Sequence, residues 1–233
     1  LKLSVAGLNA AYGQAHILSD VTLEVGAGEA VALIGRNGAG KSTTFKAILG
    51  LIANRSGKVM FDGEDISKLA TYDIVRRGLG YVPEDRRIFS DLTVEENLLV
   101  GRRPPRDGAA WTPERLYAIF PNLRELRGRG GARMSGGEQQ MLTIARTLMG
   151  NPSVILLDEP SEGLAPKIVE QMIDAIRELK REGVSLLVSE QNLNFARLVA
   201  ERVYVIEKGR IRFSGTMVEF DARPDIRDTY LAL

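Results

Sequence analysis

Two short segments carry residue types whose spacing suits phosphate chemistry. Gly35-Arg36-Asn37-Gly38-Ala39-Gly40-Lys41-Ser42 matches G-x-x-x-x-G-K-[ST]. The apolar run Ala30 to Ile34 precedes it, and a helix-compatible run from Lys41 to Leu49 follows. In that setting Gly35, Gly38 and Gly40 let backbone N–H groups turn inward around a β-phosphate, with Asn37 and Ala39 in the same cradle. A helix N-terminus adds partial positive charge. Lys41 brings an ammonium to β- and γ-phosphates, Ser42 offers a hydroxyl to magnesium, and Thr43 reaches an α-phosphate. The second segment is Val154-Ile155-Leu156-Leu157, closed by Asp158-Glu159-Pro160. It reads as a buried strand with two carboxylates at its C-terminal end, where open α/β sheets bind ligands. Successive strand residues point to opposite sides, so the two carboxylates take separate roles. Asp158 holds magnesium through a water, and Glu159 orients and deprotonates an attacking water. A third segment, Met134-Ser135-Gly136-Gly137-Glu138-Gln139-Gln140, opens a helix running to about Met149. Ser135 is its N-cap, and Gly136 and Gly137 bare the backbone N–H groups, which makes a second anion site.

The remaining composition narrows the chemistry further. Among 233 residues there is no cysteine, and His16 is the only histidine. This excludes a disulfide framework, a thiol nucleophile and a Cys/His zinc site, and any Ser-His-Asp triad would have to use His16. A metal must then be held by oxygen, as magnesium and calcium are. Lys and Arg number 31 against 30 Asp and Glu, a net charge of +1, which argues against a broad basic surface for nucleic acid. The longest stretch without a charged side chain, Leu3 to Ser19, is too polar to span a membrane, and no signal peptide is expected.

Three regions must position these groups, within one domain spanning 1–233. From Leu1 to Pro83, alternation predicts strands at Leu3–Ala10 and Leu18–Val25. Buried Ala30–Ile34, the helix after the Gly-rich loop, and a strand at Lys58–Phe61 before the Asp62-Gly63 turn follow. From Glu84 to Gly150 the chain reads as helical, with a capping box at Thr93–Glu96 and Thr112-Pro113 opening another helix. From 151 to 233, strands are expected at Val154–Leu157 and Val184–Val188, a helix at Pro166–Arg181, and a hairpin of Val203–Glu207 with Ile211–Ser214. Strand-helix alternation on both sides of a helical insert predicts an α/β core with a parallel sheet.

Met134–Gln140 is similar to the LSGGQ signature of the ABC ATPases, with Met134 for the leading Leu and Glu138 for the usual Gln. The resemblance extends over nearly the whole chain. It implies a P-loop NTPase core with a mainly parallel sheet, an N-terminal antiparallel β subdomain and a helical subdomain insert at 84–150. It also implies ATP and Mg2+ as ligands. Tyr12 stands where the family stacks an aromatic ring on adenine. Ser161-Glu162-Gly163-Leu164 stands at the loop touching the other subunit, with Leu164 replacing the usual Asp. Glu84 occupies the position of the family's Q-loop glutamine, as a metal ligand beside the γ-phosphate. Gln191 occupies the switch-histidine position, with Glu190 as the alternative.

Tyr81–Phe89 with Leu92–Leu98, and Ser161–Pro166 with Glu190–Asn192, resemble the second ATPase subunit of branched-chain amino-acid importers. Closely similar subunits serve urea and amide importers. ATPases of DNA repair and translation are disfavoured by the spacing of the motifs and by the single domain. The resemblance implies a cytoplasmic chain on the inner face of the membrane, touching it only through partners and binding no nucleic acid. Those partners are a second ATPase subunit, heterodimeric in the cell though a homodimer can form in isolation, and transmembrane permease subunits. Arg86, Arg87, Arg102, Arg103 and Arg106 are expected on the docking surface, unless they and Arg124, Arg127, Arg129 and Arg133 form a solvated face. Trp111 is expected to anchor the helical lobe.

Overall fold

Alternation builds the first layer. The computed structural model describes residues 1–105 and 110–231. Leu3, Val5 and Leu8 are buried along β1 (Leu3–Tyr12), which pairs antiparallel with β2 (Ala15–Val25). Next comes β3 (Ala30–Ile34), five apolar residues all buried, and then α1 (Lys41–Ile48). β4 (Asn54–Phe61) pairs with the free side of β1 and carries β5 (Glu64–Asp65) beyond the Asp62-Gly63 turn. β4 starts four residues before the expected Lys58, because Asn54, Arg55 and Ser56 pair with β1 through backbone without burying an apolar side chain. These strands form an antiparallel sheet of order β2-β1-β4-β5.

α2 (Thr71–Arg76) buries only Ile74, which is why no periodicity announces it. β6 (Leu79–Val82) follows. Between β6 and the next strand the chain is helical: α3 (Val94–Val100), α4 (Pro113–Ile119), α5 (Pro121–Glu125) and α6 (Gly136–Leu148). Both hydrogen bonds of the capping box at Thr93 and Glu96 form, and Thr112 caps α4 with Pro113 behind it. Trp111 is buried in this region, with the Arg115 guanidinium 4.3 Å from its ring centre.

The chain then alternates through β7 (Val154–Asp158), α7 (Pro166–Arg181), β8 (Ser185–Glu190) and α8 (Leu193–Val199). The hairpin of β9 (Arg202–Glu207) and β10 (Arg210–Thr216) leads to α9 (Met217–Asp221) and α10 (Pro224–Tyr230). The second sheet has the order β10-β9-β3-β8-β7-β6 and is parallel apart from β10. Strands covered on both faces need apolar residues at successive positions. Ala30, Ala32, Ile34, Ile155 and Leu157 enter a core shared with α3–α10. Val31, Leu33, Val154 and Leu156 enter a second core shared with α1 and the antiparallel sheet. β8 runs two residues past the expected end, so Ser189 and Glu190 are buried strand residues.

Candidate active site

Four loops leave the C-terminal ends of adjacent parallel strands and meet at one edge of the sheet. The loop after β3 is held by Gly35 N–H donating to the Glu190 carbonyl at 3.3 Å. It closes at Gly40, whose φ of +111° is strained for any residue with a Cβ, and a Cβ there would also meet Leu18 at 2.9 Å. Lys41 is 5% exposed. Its ammonium donates to the carbonyls of Gly35 at 2.6 Å and Arg36 at 3.1 Å, and lies 2.9 Å from Glu159 Oε1.

The Ser42 hydroxyl donates to Asp158 Oδ1 at 3.0 Å. Asp158 also accepts from Ser189 Oγ at 2.6 Å and from the Tyr81 hydroxyl at 3.1 Å. Burial and the Asp158 charge push the Tyr81 phenol up, so it stays a donor. Glu159 lies just past β7 at φ +47°, and its N–H donates to Ser189 Oγ at 3.1 Å. The two carboxylates thus diverge by a backbone turn at Glu159 as well as by strand alternation. Burial pushes the Glu159 carboxyl above its ordinary range, against the pull of Lys41. Ser189 and Tyr81 are the supports that sequence reasoning missed.

The two alternatives at the end of β8 differ in burial, and neither lines the cavity around Lys41. Glu190 is 1% exposed and turned inward. Its Oε1 accepts from Ser161 N–H at 3.0 Å, and its Oε2 from Gln191 and Asn192 N–H at 3.2 and 3.1 Å. Burial pushes its pKa up to about 7. The Gln191 side chain is exposed beside it. A cavity of about 430 Å³ opens here, lined by Asn37, Lys41, Ser42, Thr43, Glu84 and Glu159 among others. Burial, with Glu162 and Asp158 adding to it, raises the Glu84 carboxyl.

Ser135 caps α6 with both hydrogen bonds of a capping box, donating N–H to Glu138 Oε2 at 2.7 Å and accepting from Glu138 N–H at 3.4 Å. Glu138 therefore makes the reciprocal bond at the signature's usual Gln position. Ser135, Gly136 and Gly137 do not line the Lys41 cavity, and neither does Tyr12, which is 50% exposed at the end of β1. His16 is exposed in β2.

The arginines divide. Arg102 and Arg103 are exposed, and Arg87 is paired with Asp85 at 2.6 Å. Arg124, Arg127, Arg129 and Arg133 are each exposed. Arg86 is half-buried, and its guanidinium donates to the Glu162 carbonyl at 2.7 Å. Arg106 lies outside the described residues.

Among the described residues there is no cluster of three or more His, Cys, Asp or Glu that could hold a metal. Ser42 Oγ and Asp158 Oδ1, 3.0 Å apart, with Glu84 on the same cavity, supply only part of an oxygen shell. That fits magnesium, which keeps waters and shares substrate phosphates. The arrangement as a whole has a phosphate cradle, a buried cation to meet phosphate charge and a carboxylate of raised basicity beside it.

The family model described as "ABC transporter" matches residues 18–162. The branched-chain amino-acid transport ATP-binding protein BraG of Pseudomonas aeruginosa is 44% identical over 230 residues, covering 98% of this chain and 99% of that protein. The lipopolysaccharide export ATP-binding protein LptB of Haemophilus influenzae is 36% identical over 98% of this chain and 96% of its own length. The probable branched-chain amino-acid transport protein LivF of Archaeoglobus fulgidus is 36% identical over 93% of each. A nucleotide-free ATP-binding cassette from an ABC transporter superposes with a TM-score of 0.82 at 27% identity, over 96% of this chain and 94% of that one. With its Gly-rich loop and carboxylate strand at one sheet edge, and with likeness running end to end, the chain belongs to the ABC transporter family as an ATP-binding ATPase.

Proposed function

We propose that this chain is the ATP-hydrolysing subunit of a membrane importer for branched-chain amino acids. The observation that carries the solute is the 44% likeness to BraG along the whole length of both chains. LivF, at 36%, supports the same class. The likeness to LptB favours an exporter less strongly.

In this reading ATP seats its phosphates on the loop from Gly35 to Thr43, with Gly35, Asn37, Gly38, Ala39 and Gly40 supplying the cradle. Lys41 exchanges its carbonyl partners and Glu159 for phosphate oxygens. Glu159, freed of its cation and already raised by burial, takes the proton of the attacking water. Gln191 holds the γ-phosphate or that water through its amide, and Glu84 faces the same phosphate. Ser42, Asp158 and Glu84 would hold magnesium, which would neutralise charge on the phosphate oxygens when bound. Tyr12 stacks on the base without reading its identity.

Ser135, Gly136 and Gly137 close on the nucleotide of a second ATPase subunit, a reading consistent with their lying off the cavity of their own chain. The permease subunits dock in an apolar groove of about 390 Å³ lined by Leu51, Val75, Tyr81, Phe89, Val100 and Arg103. Leu51, Phe89 and Val100 are about half exposed there, at 53%, 49% and 57%.

The test is co-purification from membranes followed by reconstitution. The expected result is a complex with permeases and a second ATP-binding subunit, and ATP-dependent uptake of labelled leucine. Uptake of urea or an amide instead, or release of lipopolysaccharide, would overturn the solute class. Stimulation of hydrolysis by DNA or ribosomes rather than by permeases would overturn the transport reading.

A further inference from the structure

One guanidinium joins three loops around the site. Arg86 lies between β6 and α3 at φ +47°, a conformation that a residue with a Cβ keeps only when its surroundings hold it. Its Nη2 donates to the Glu162 carbonyl at 2.7 Å, in the loop after β7. The same nitrogen is 3.6 Å from where a Cβ on Gly163 would stand. Nη1 fills the space that a Cβ on Gly136 would need, at the first turn of α6. A planar fork can serve both sides at once, and an ammonium cannot.

We infer that Arg86 is a positioning residue that ties the signature end of α6 to the loop after β7, so that the two move as one unit. Gly136 then has a second reason to lack a side chain, since the guanidinium lies against its backbone. The inference deepens the ATPase reading and rests on it for its kinetic consequence. An ATP clamped between two chains touches the P-loop of one and α6 of the other. A link between α6 and the loop that leads from Glu159 sets how those surfaces meet, without touching nucleotide.

The test uses the full-length chain with Arg86→Ala, Arg86→Lys, Gly136→Ala and the Arg86→Ala/Gly136→Ala double variant. In nucleotide-free protein, Arg86→Ala is expected to raise amide hydrogen exchange at least fivefold in both 137–139 and 162–164. Gly136→Ala, which displaces the guanidinium, is expected to give the same rise at 162–164, and the double variant to add nothing further. ATP hydrolysis by Arg86→Ala falls at least fivefold in kcat with KM changed less than twofold, and Arg86→Lys, which keeps one donor for the Glu162 carbonyl, recovers part of it. Unchanged exchange, a rise in one segment alone, additive effects in the double variant, or a loss of activity carried only by a rise in KM would each overturn the inference. Exchange is read without nucleotide. A wild-type chain that hydrolyses nothing would therefore sink the ATPase reading, while the link still stands or falls on exchange.

Discussion

Lys41 is fully engaged before any phosphate arrives. Two carbonyls and the Glu159 carboxylate share its ammonium within 3.1 Å. A phosphate must compete with all three, and the Glu159 contact is the charged one. Glu159→Gln should therefore lower turnover by roughly a hundredfold or more through loss of the base. It should also tighten ATP binding, because Lys41 loses its anionic competitor. Steady-state hydrolysis and equilibrium nucleotide binding check the two halves separately, and unchanged turnover would remove Glu159 from its role. Glu190 titrates differently. Its folded pKa, about 7, lies above the ordinary 4.5, so the native state holds the proton longer than the unfolded chain. The stability this contributes is full below pH 4.5 and is lost as pH rises through about 7. Glu190→Gln should flatten that slope, shrinking the difference in melting temperature between pH values of about 5 and about 8. Glu159 adds to the rise in Glu190, and Glu190→Gln removes that coupling together with the carboxyl itself.

At the scale of elements, legibility followed burial and caps. β3 and α7 match their expected spans because an apolar run, a proline at the first turn and a 16-residue amphipathic pattern speak plainly. α2 and α10 each bury a single residue, and the first half of β4 buries none, so their patterns carry no periodic signal. α9 was missed although Thr216 and Glu219 form a full capping box, a signal that could have found it. The site divides in the same way. Phosphate loop and carboxylates are contiguous motifs. The supports of Asp158 come from Ser189 and Tyr81, 31 and 77 residues away, and only the folded chain brings them together. The groove flanked by α3 belongs to this scale too. Val100→Asp places a charge in its apolar wall and should abolish co-purification with permease subunits without lowering the melting temperature, since the side chain is 57% exposed. Retained co-purification would move the docking surface elsewhere.

For the whole molecule, the decisive arrangement is that the two anion sites of one chain do not share a cavity. In the proposed reading the Ser135 end of α6 serves another chain's nucleotide. Ser135→Arg should leave ATP binding to the isolated chain within about twofold, yet block the ATP-dependent dimer that forms in the Glu159→Gln background, as sedimentation would show. A dimer that still forms would remove the Ser135 end of α6 from the shared nucleotide site. An import relative and an export relative are both alike to this chain along nearly its whole length, at 44% and 36% identity.

The parallel sheet has a second edge, opposite the chemistry. There the chain ends of the strands are stitched to one another: Gly28 N–H donates to Ser185 Oγ at 2.9 Å, Ser185 N–H to the Ser153 carbonyl at 3.0 Å, and Ser153 N–H to the Gly78 carbonyl at 2.9 Å. None of these residues lines the phosphate cavity. Ala27 is exposed on this edge. With no native cysteine in the chain, a thiol introduced there would be unique. The molecule thus comes with a natural base by which it can be tethered to a surface or given a dye, with the nucleotide mouth facing outward and its traffic undisturbed.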